Sequence, residues 1–193
     1  MLFTLFSIPI YNYQLNFDNK KIEKYCYDLK EKDKGRVISN EGGWQSNNLE
    51  GYIPELNELF IEILGRTNSF AKDTGLKPPL KLINGWVNIN GYKDYNIDHN
   101  HPGALLSAVY YVKTNDKSGD ISFRNPASDV MSENLIEGVT INEFNEYTSC
   151  RKFLSPSNGM LYIFPAYLTH SVKPNLSNDE RISIALNFVK DNG

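Results

Sequence analysis

The sequence predicts a mainly β protein, a sandwich or partly open barrel with two helices packed on one of its sheets. Three observations carry that expectation. From about residue 79 the chain breaks into short runs rich in β-branched and aromatic residues, separated by Gly, Asn, Asp and Pro. Ahead of residue 79, two stretches repeat apolar residues at helical spacing. No internal repeat, low-complexity segment or linker divides the 193 residues. One domain is therefore expected over 1–193, with 1–78 as an N-terminal strand and helical support and 79–190 as the β core.

The opening MLFTLFSIPIYNYQLNF is apolar for about ten residues, too short to span a bilayer and without a basic leader or small-residue cleavage site, so it reads as a first strand. Residues 17–34 place Ile22, Tyr25, Cys26 and Leu29 on one face of a helix, with charged residues between them. A second helix is expected over 54–73, where Leu56, Leu59, Phe60, Ile63 and Leu64 repeat before Gly65. The insert SNEGGWQSNNLEG between them is rich in turn residues. Strands follow over 80–89, 104–113, 120–125, 160–165, 170–175 and 181–189. Residues 127–150 are long, polar and unpatterned, and are expected to form a mobile loop covering the mouth of the core.

Composition excludes several classes of function. The formal net charge is −3 and the basic residues are scattered, so the counterion-release term that drives nucleic-acid binding has no source. Cys26 and Cys150 lie far apart in a chain with no secretion signal, so unpaired thiols and a cytoplasmic location are expected. A membrane partner is not expected, and a homodimer stays open.

The chemistry concentrates on the chain's three histidines. His99 and His101 stand one residue apart in Asp98-His99-Asn100-His101-Pro102-Gly103, and in an extended chain residues i and i+2 share a face. His170 opens a later run that a sandwich can fold alongside the first. Three imidazoles from two strands can then close on one metal ion, leaving the opposite coordination positions open. The competing reading is three histidines that merely make ordinary hydrogen bonds. Arg181, eleven positions after His170, opens the last strand, and beside a metal site its planar fork matches a carboxylate bidentately. Its bland alternative is an exposed ion pair with Asp179 or Glu180.

The order His-x-His, a strand ending Tyr-Tyr-Val, Gly-x-Ile, then Phe-Pro…His…Arg-x-Ser resembles the prolyl-hydroxylase-like branch of the Fe(II)/2-oxoglutarate oxygenases over residues 80–189. The phrases GGWQS (42–46), WVNIN (86–90), HNHPGALLSAVYYV (99–112) and RISIALNF (181–188) are similar to oxygenases of this kind from bacteria and marine phages, which extends the likeness to nearly the full length. The resemblance implies a double-stranded β-helix, the jelly-roll or cupin-like core. It implies Fe(II) on His99, His101 and His170, with 2-oxoglutarate and O2 consumed and ascorbate as an auxiliary reductant. Arg181 and Ser183 would hold the far carboxylate of 2-oxoglutarate, with Tyr111 reaching it too and Asn88 as a weaker candidate. Strand alternation fits, since Tyr111 shares a face with Ser107 and Val109, and Arg181 with Ser183 and Asn187. Core packing explains Tyr111 equally well, and is the more common reason for aromatics such as Trp86, Phe123 and Phe164.

One departure matters. His101 stands where the family pattern has an aspartate, so the ligand set would be three neutral imidazoles, unless Asp98 turns inward at a bulge or only His99 and His170 bind. A cupin-like dioxygenase or isomerase that uses three histidines without 2-oxoglutarate accounts for His101 more directly, but leaves Arg181 without a purpose. A non-enzymatic β-sandwich is the third reading. The identity of the primary substrate is not written in these residues.

Overall fold

The computed structural model describes residues 4–193. Strand β1 (Tyr11–Gln14) leads into helix α1 (Asn19–Lys30), and the short strands β2 (Asn40–Glu41) and β3 (Trp44–Gln45) precede helix α2 (Asn57–Asp73). There follow β4 (Leu80–Asn90), β5 (Tyr95–His99), β6 (Leu106–Lys113) and β7 (Ile121–Arg124). Helix α3 (Ser128–Asn134) then precedes β8 (Arg151–Leu154), β9 (Met160–Pro165), β10 (His170–Val172) and β11 (Arg181–Lys190). The expected first strand is found at Tyr11–Gln14; the part of that expectation on residues 1–3 lies outside the described residues.

The strands form two antiparallel sheets. The larger has the order β1-β9-β6-β11-β4-β3, and the smaller β2-β5-β10-β7-β8. Both long helices lie against the larger sheet, as the amphipathic spacing predicts. Asp18 caps α1 by accepting the Lys21 N–H, and Ile22 and Cys26 turn inward. From α2, Leu59, Ile63 and Phe70 meet Val87, Ala108, Tyr110 and Ile184 of the sheet. The alternate residues of the same strands, among them Val109 and Tyr111, face Ile121, Phe123 and Phe164 in a second core between the sheets.

Three elements differ from the sequence expectation. The turn-rich insert holds β2 and β3, which belong to different sheets, so the two residues between them carry the chain from one wall to the other. Gly42 and Gly43 do this at φ of +65° and +63°, and a Cβ on Gly42 would sit 2.1 Å from an Asp94 carboxylate oxygen. The long loop after β7 contains α3 and ends in β8, a strand too short and polar to show a period. The strand expected over 170–175 stops at Val172.

Candidate metal and co-substrate site

His99 closes β5 and His170 opens β10, and the two residues are direct partners in the antiparallel register. His101 lies just past the strand, where its N–H donates to Ala166 O at 2.9 Å. One donor atom from each of the three rings lies within 4.8 Å of the others, so a single ion is within reach of all three. The i, i+2 spacing is only part of the reason. The ladder slips between His170 and Val172, which pair with His99 and Asn96, so β5 carries a bulge of one residue. That bulge turns Asn96 and His99 together into the interior and leaves Asp98 on the outer face.

The rings leave lone pairs free to face one another. His99 Nδ1 lies 2.7 Å from Ile97 O and His170 Nδ1 2.9 Å from Leu168 O. A proton on each Nδ1 donates to its carbonyl and leaves the Nε2 lone pair free. His101 has no such carbonyl; its ring lies 5.5 Å from that of Trp86. Burial depresses all three imidazoles, with a further push from neighbouring histidines on two of them: His101 falls to about 4 and His170 to about 3. At neutral pH they are uncharged, so a metal need displace no proton from them.

Behind this wall one side chain ties three strands together. Arg151, at the start of β8, donates from Nη1 to Asp98 of β5 at 3.0 Å, to Ser122 of β7 at 3.0 Å and to Ser171 of β10 at 3.4 Å. Its Nη2 bonds the other Asp98 oxygen, and the guanidinium holds the Asp98 carboxyl below the usual range. Asp98 is thus engaged away from the histidines. Since Asp98 and Ser171 directly neighbour His99 and His170 in sequence, Arg151→Ala is expected to lower metal affinity by about 10-fold, at the lower end for outer-shell groups. Competition with a coloured chelator measures this, with circular dichroism to show that the sheets persist; unchanged affinity would mean that Arg151 does not support the histidines.

The residues expected at the far carboxylate gather on the opposite wall. Asn88, Ser183 and Tyr111 form one row across β4, β11 and β6, and Arg181 stands two residues along β11 from Ser183. All four line the same cavity as the three histidines, together with Trp86 and Phe164. Arg181 is 1% exposed. Its Nη1 donates to Ser118 O and Lys173 O, whereas Nη2 and the neighbouring Tyr111 hydroxyl have no partner among the described residues. Glu180 pairs instead with Lys30, and Arg181 has no carboxylate within ion-pair distance among the described residues. Burial lowers the arginine pKa and raises that of the Tyr111 phenol. A buried cation and hydroxyl with open donors are costly alone, and an anion placed between them satisfies both.

Sequence reasoning missed Arg151, whose partners come from three separate strands, and it misplaced the role of 127–150. No residue of that segment lines the cavity. Phe144 and Ser149 instead share a groove with Arg151 and Phe153 on the outer side of the smaller sheet, so the segment packs away from the histidines and does not cover them. Cys26 and Cys150 are both free, and no described helix is long and apolar enough to cross a membrane.

By sequence, no curated protein matches the chain. Its fold is similar to that of a Pseudomonas putida prolyl-4-hydroxylase, with a TM-score of 0.66 at 11% identity, covering 96% of this chain and 94% of that one. A viral collagen prolyl hydroxylase from Paramecium Bursaria Chlorella virus-1, solved with 2-oxoglutarate, aligns with a TM-score of 0.58 at 12% identity, covering 94% and 96%. HygX from Streptomyces hygroscopicus, solved with nickel, 2-oxoglutarate and hygromycin B, aligns at 0.66 and 12%, covering 96% and 84%. At these identities the likeness establishes the jelly-roll fold. The sequence itself matches the family described as "Putative 2OG-Fe(II) oxygenase" over residues 84–187, a span that runs from β4 to β11 and holds every histidine and Arg181. On that match the chain belongs to the Fe(II)- and 2-oxoglutarate-dependent oxygenases.

Proposed function

We propose that His99, His101 and His170 hold the iron of this oxygenase, and that Arg181, with Tyr111, Ser183 and Asn88, holds the far carboxylate of 2-oxoglutarate. The reaction is read as hydroxylation of a primary substrate, coupled to conversion of 2-oxoglutarate to succinate. The observation that carries the assignment is the unpartnered Nη2 of buried Arg181 beside the unpartnered Tyr111 hydroxyl, in the cavity that the histidines share. A dicarboxylate that reaches both walls satisfies these donors and still presents its oxo-acid end to the histidines.

When bound, iron supplies coordination of the oxo acid and activation of oxygen. The chain's own contribution is to bind, orient and exclude water. Ile97 O and Leu168 O fix two ring tautomers. Phe164 and Phe123 pack on His170 at ring separations of 4.8 and 6.0 Å and keep that side dry. With His101 in place of a carboxylate, the ligands leave the ion's formal charge at +2, which strengthens its hold on the anionic oxo acid. The three-histidine set is also the one feature that favours the cupin-like reading, which has no use for the open donors of Arg181.

The free thiols suit a reducing compartment, and we read residues 1–193 as one working unit in which α1 and α2 brace the wall that carries Arg181. Succinate release measured with and without Fe(II) and 2-oxoglutarate tests the assignment. Succinate is expected only with both. A protein that takes up iron but shows no affinity for 2-oxoglutarate would instead favour the cupin-like reading.

A further inference from the structure

A second cation, Arg36, stands beside the cavity, against Trp86 of its lining. Arg36 bridges Gln45 of β3 in antiparallel fashion, and Gln45 pairs with Asn88 of β4, so Arg36 extends the Asn88–Ser183–Tyr111 row beyond the edge of the larger sheet. Residues in one row share a face, so its side chain projects on the interior side. The guanidinium carbon lies 5.8 Å from the Trp86 ring centroid, and Trp86 in turn lines the cavity against His101. Nη2 donates to Asn48 Oδ1 at 2.9 Å, but Nε is buried and has no partner among the described residues. Asp33, the carboxylate that feels Arg36, already accepts the N–H groups of Gly35 and Asn47 and the Asn47 amide, and makes no ion pair with it. Trp86 pairs with Ala185, four residues from Arg181, about 13 Å along the floor at ~3.3 Å per residue, so the indole that Arg36 lies against is well separated from Arg181.

The floor between them changes character in the same direction. Past the apolar Ala185 step, Ser107 donates to Asn187 Oδ1 at 2.7 Å and Asn187 donates to Asn84 at 2.9 Å, a polar row across β6, β11 and β4 next to Trp86. From this arrangement we infer that Arg36 and Trp86 form the primary-substrate subsite, and that the substrate carries a carboxylate or phosphate which Arg36 receives while the body of the molecule lies along the indole. The inference rests on the iron and 2-oxoglutarate assignment above, which leaves this end of the cavity to the substrate. A planar cation over an indole, with an open buried donor, suits an anion better than an alcohol or an amine, because an anionic oxygen accepts from Nε in a stronger, charge-assisted bond than a neutral one, and an ammonium has no lone pair to accept it.

The test uses the full chain loaded with Ni(II), which keeps the site unreactive, and saturated with 2-oxoglutarate so that Arg181 is already occupied. Phenyl phosphate and benzoate are titrated as phosphate and carboxylate probes, with benzyl alcohol as the neutral control. The readout is the indole N–H signal of Trp86, one of the two tryptophans in the chain, assigned by Trp86→Phe. Both anions, or one of them, should shift that signal in wild type, and Arg36→Gln should weaken binding by about 10- to 100-fold, the scale of a lost charged hydrogen bond. Arg36→Lys, which keeps the charge without the fork, should fall between them. Failure of wild type to take up 2-oxoglutarate at all would count against the co-substrate assignment. Normal 2-oxoglutarate binding with no anion-dependent Trp86 shift, with equal response to benzyl alcohol, or with equal affinity in Arg36→Gln, would overturn the subsite alone.

Discussion

Replacing His170 by Ala is expected to cost at least ~10-fold in iron affinity, the scale on which even outer-shell changes act. His170 is the most buried of the three rings, 4% exposed, and it is the one packed between the aromatic core and both other histidines. Truncation removes a ligand from the middle of the cluster and leaves two rings on one short segment, a set that cannot surround an ion from two strands. The fold should survive, because the pairing of β10 with β5 and β7 runs through backbone groups. Metal content after desalting, together with anaerobic Fe(II) titration, measures the effect. Retention of full iron stoichiometry by a folded His170→Ala protein would sink the three-histidine assignment.

Arg181→Ala should do the reverse, leaving iron bound while 2-oxoglutarate binding weakens by about 2–5 kcal/mol, the cost of truncating one partner of a buried charge pair. The hydrogen bonds of Arg181 run to the Ser118 carbonyl and to that of Lys173, one residue beyond β10, and none goes to a histidine. Arg181→Lys should recover only part of the loss, because an ammonium can meet a carboxylate as a point charge but cannot offer it a fork. Adding 2-oxoglutarate anaerobically to the iron-loaded variants and following the metal-to-ligand charge-transfer absorption separates the two steps. If Arg181→Ala gives the wild-type titration, the far carboxylate lies elsewhere and the orphaned Nη2 needs another explanation.

Both variants were nameable from the sequence because their signals are local. His99 and His101 are one residue apart, and Arg181 opens a strand whose ten residues alternate cleanly between the helix side and the interior. The strands β4, β6 and β11 were legible for the same reason: each is long enough to show its period. What stayed hidden depends on partners distant in the chain. The strands β2 and β3 have two residues each and gain their identity only from β5 and β4. The bulge in β5 is a property of its pairing with β10, so the inward turn of His99 and the outward turn of Asp98 could not be read from spacing alone. Arg151 and Arg36 carry no motif; one is defined by three strands it reaches across, the other by an indole fifty residues away.

Of the proposed metal ligands, His99 and His170 belong to the smaller sheet, with His101 just beyond its β5, and the residues proposed for the far carboxylate all belong to the larger one. A molecule of 2-oxoglutarate bound in the proposed way is therefore a crosspiece between two walls that share no strand. Its binding free energy adds to the work of prying them apart, about 2.7 kcal/mol when its concentration is 100 times Kd. Bound in that way, 2-oxoglutarate would make the closure of the two walls depend on its own supply, tighter where the metabolite is abundant and looser where it is scarce.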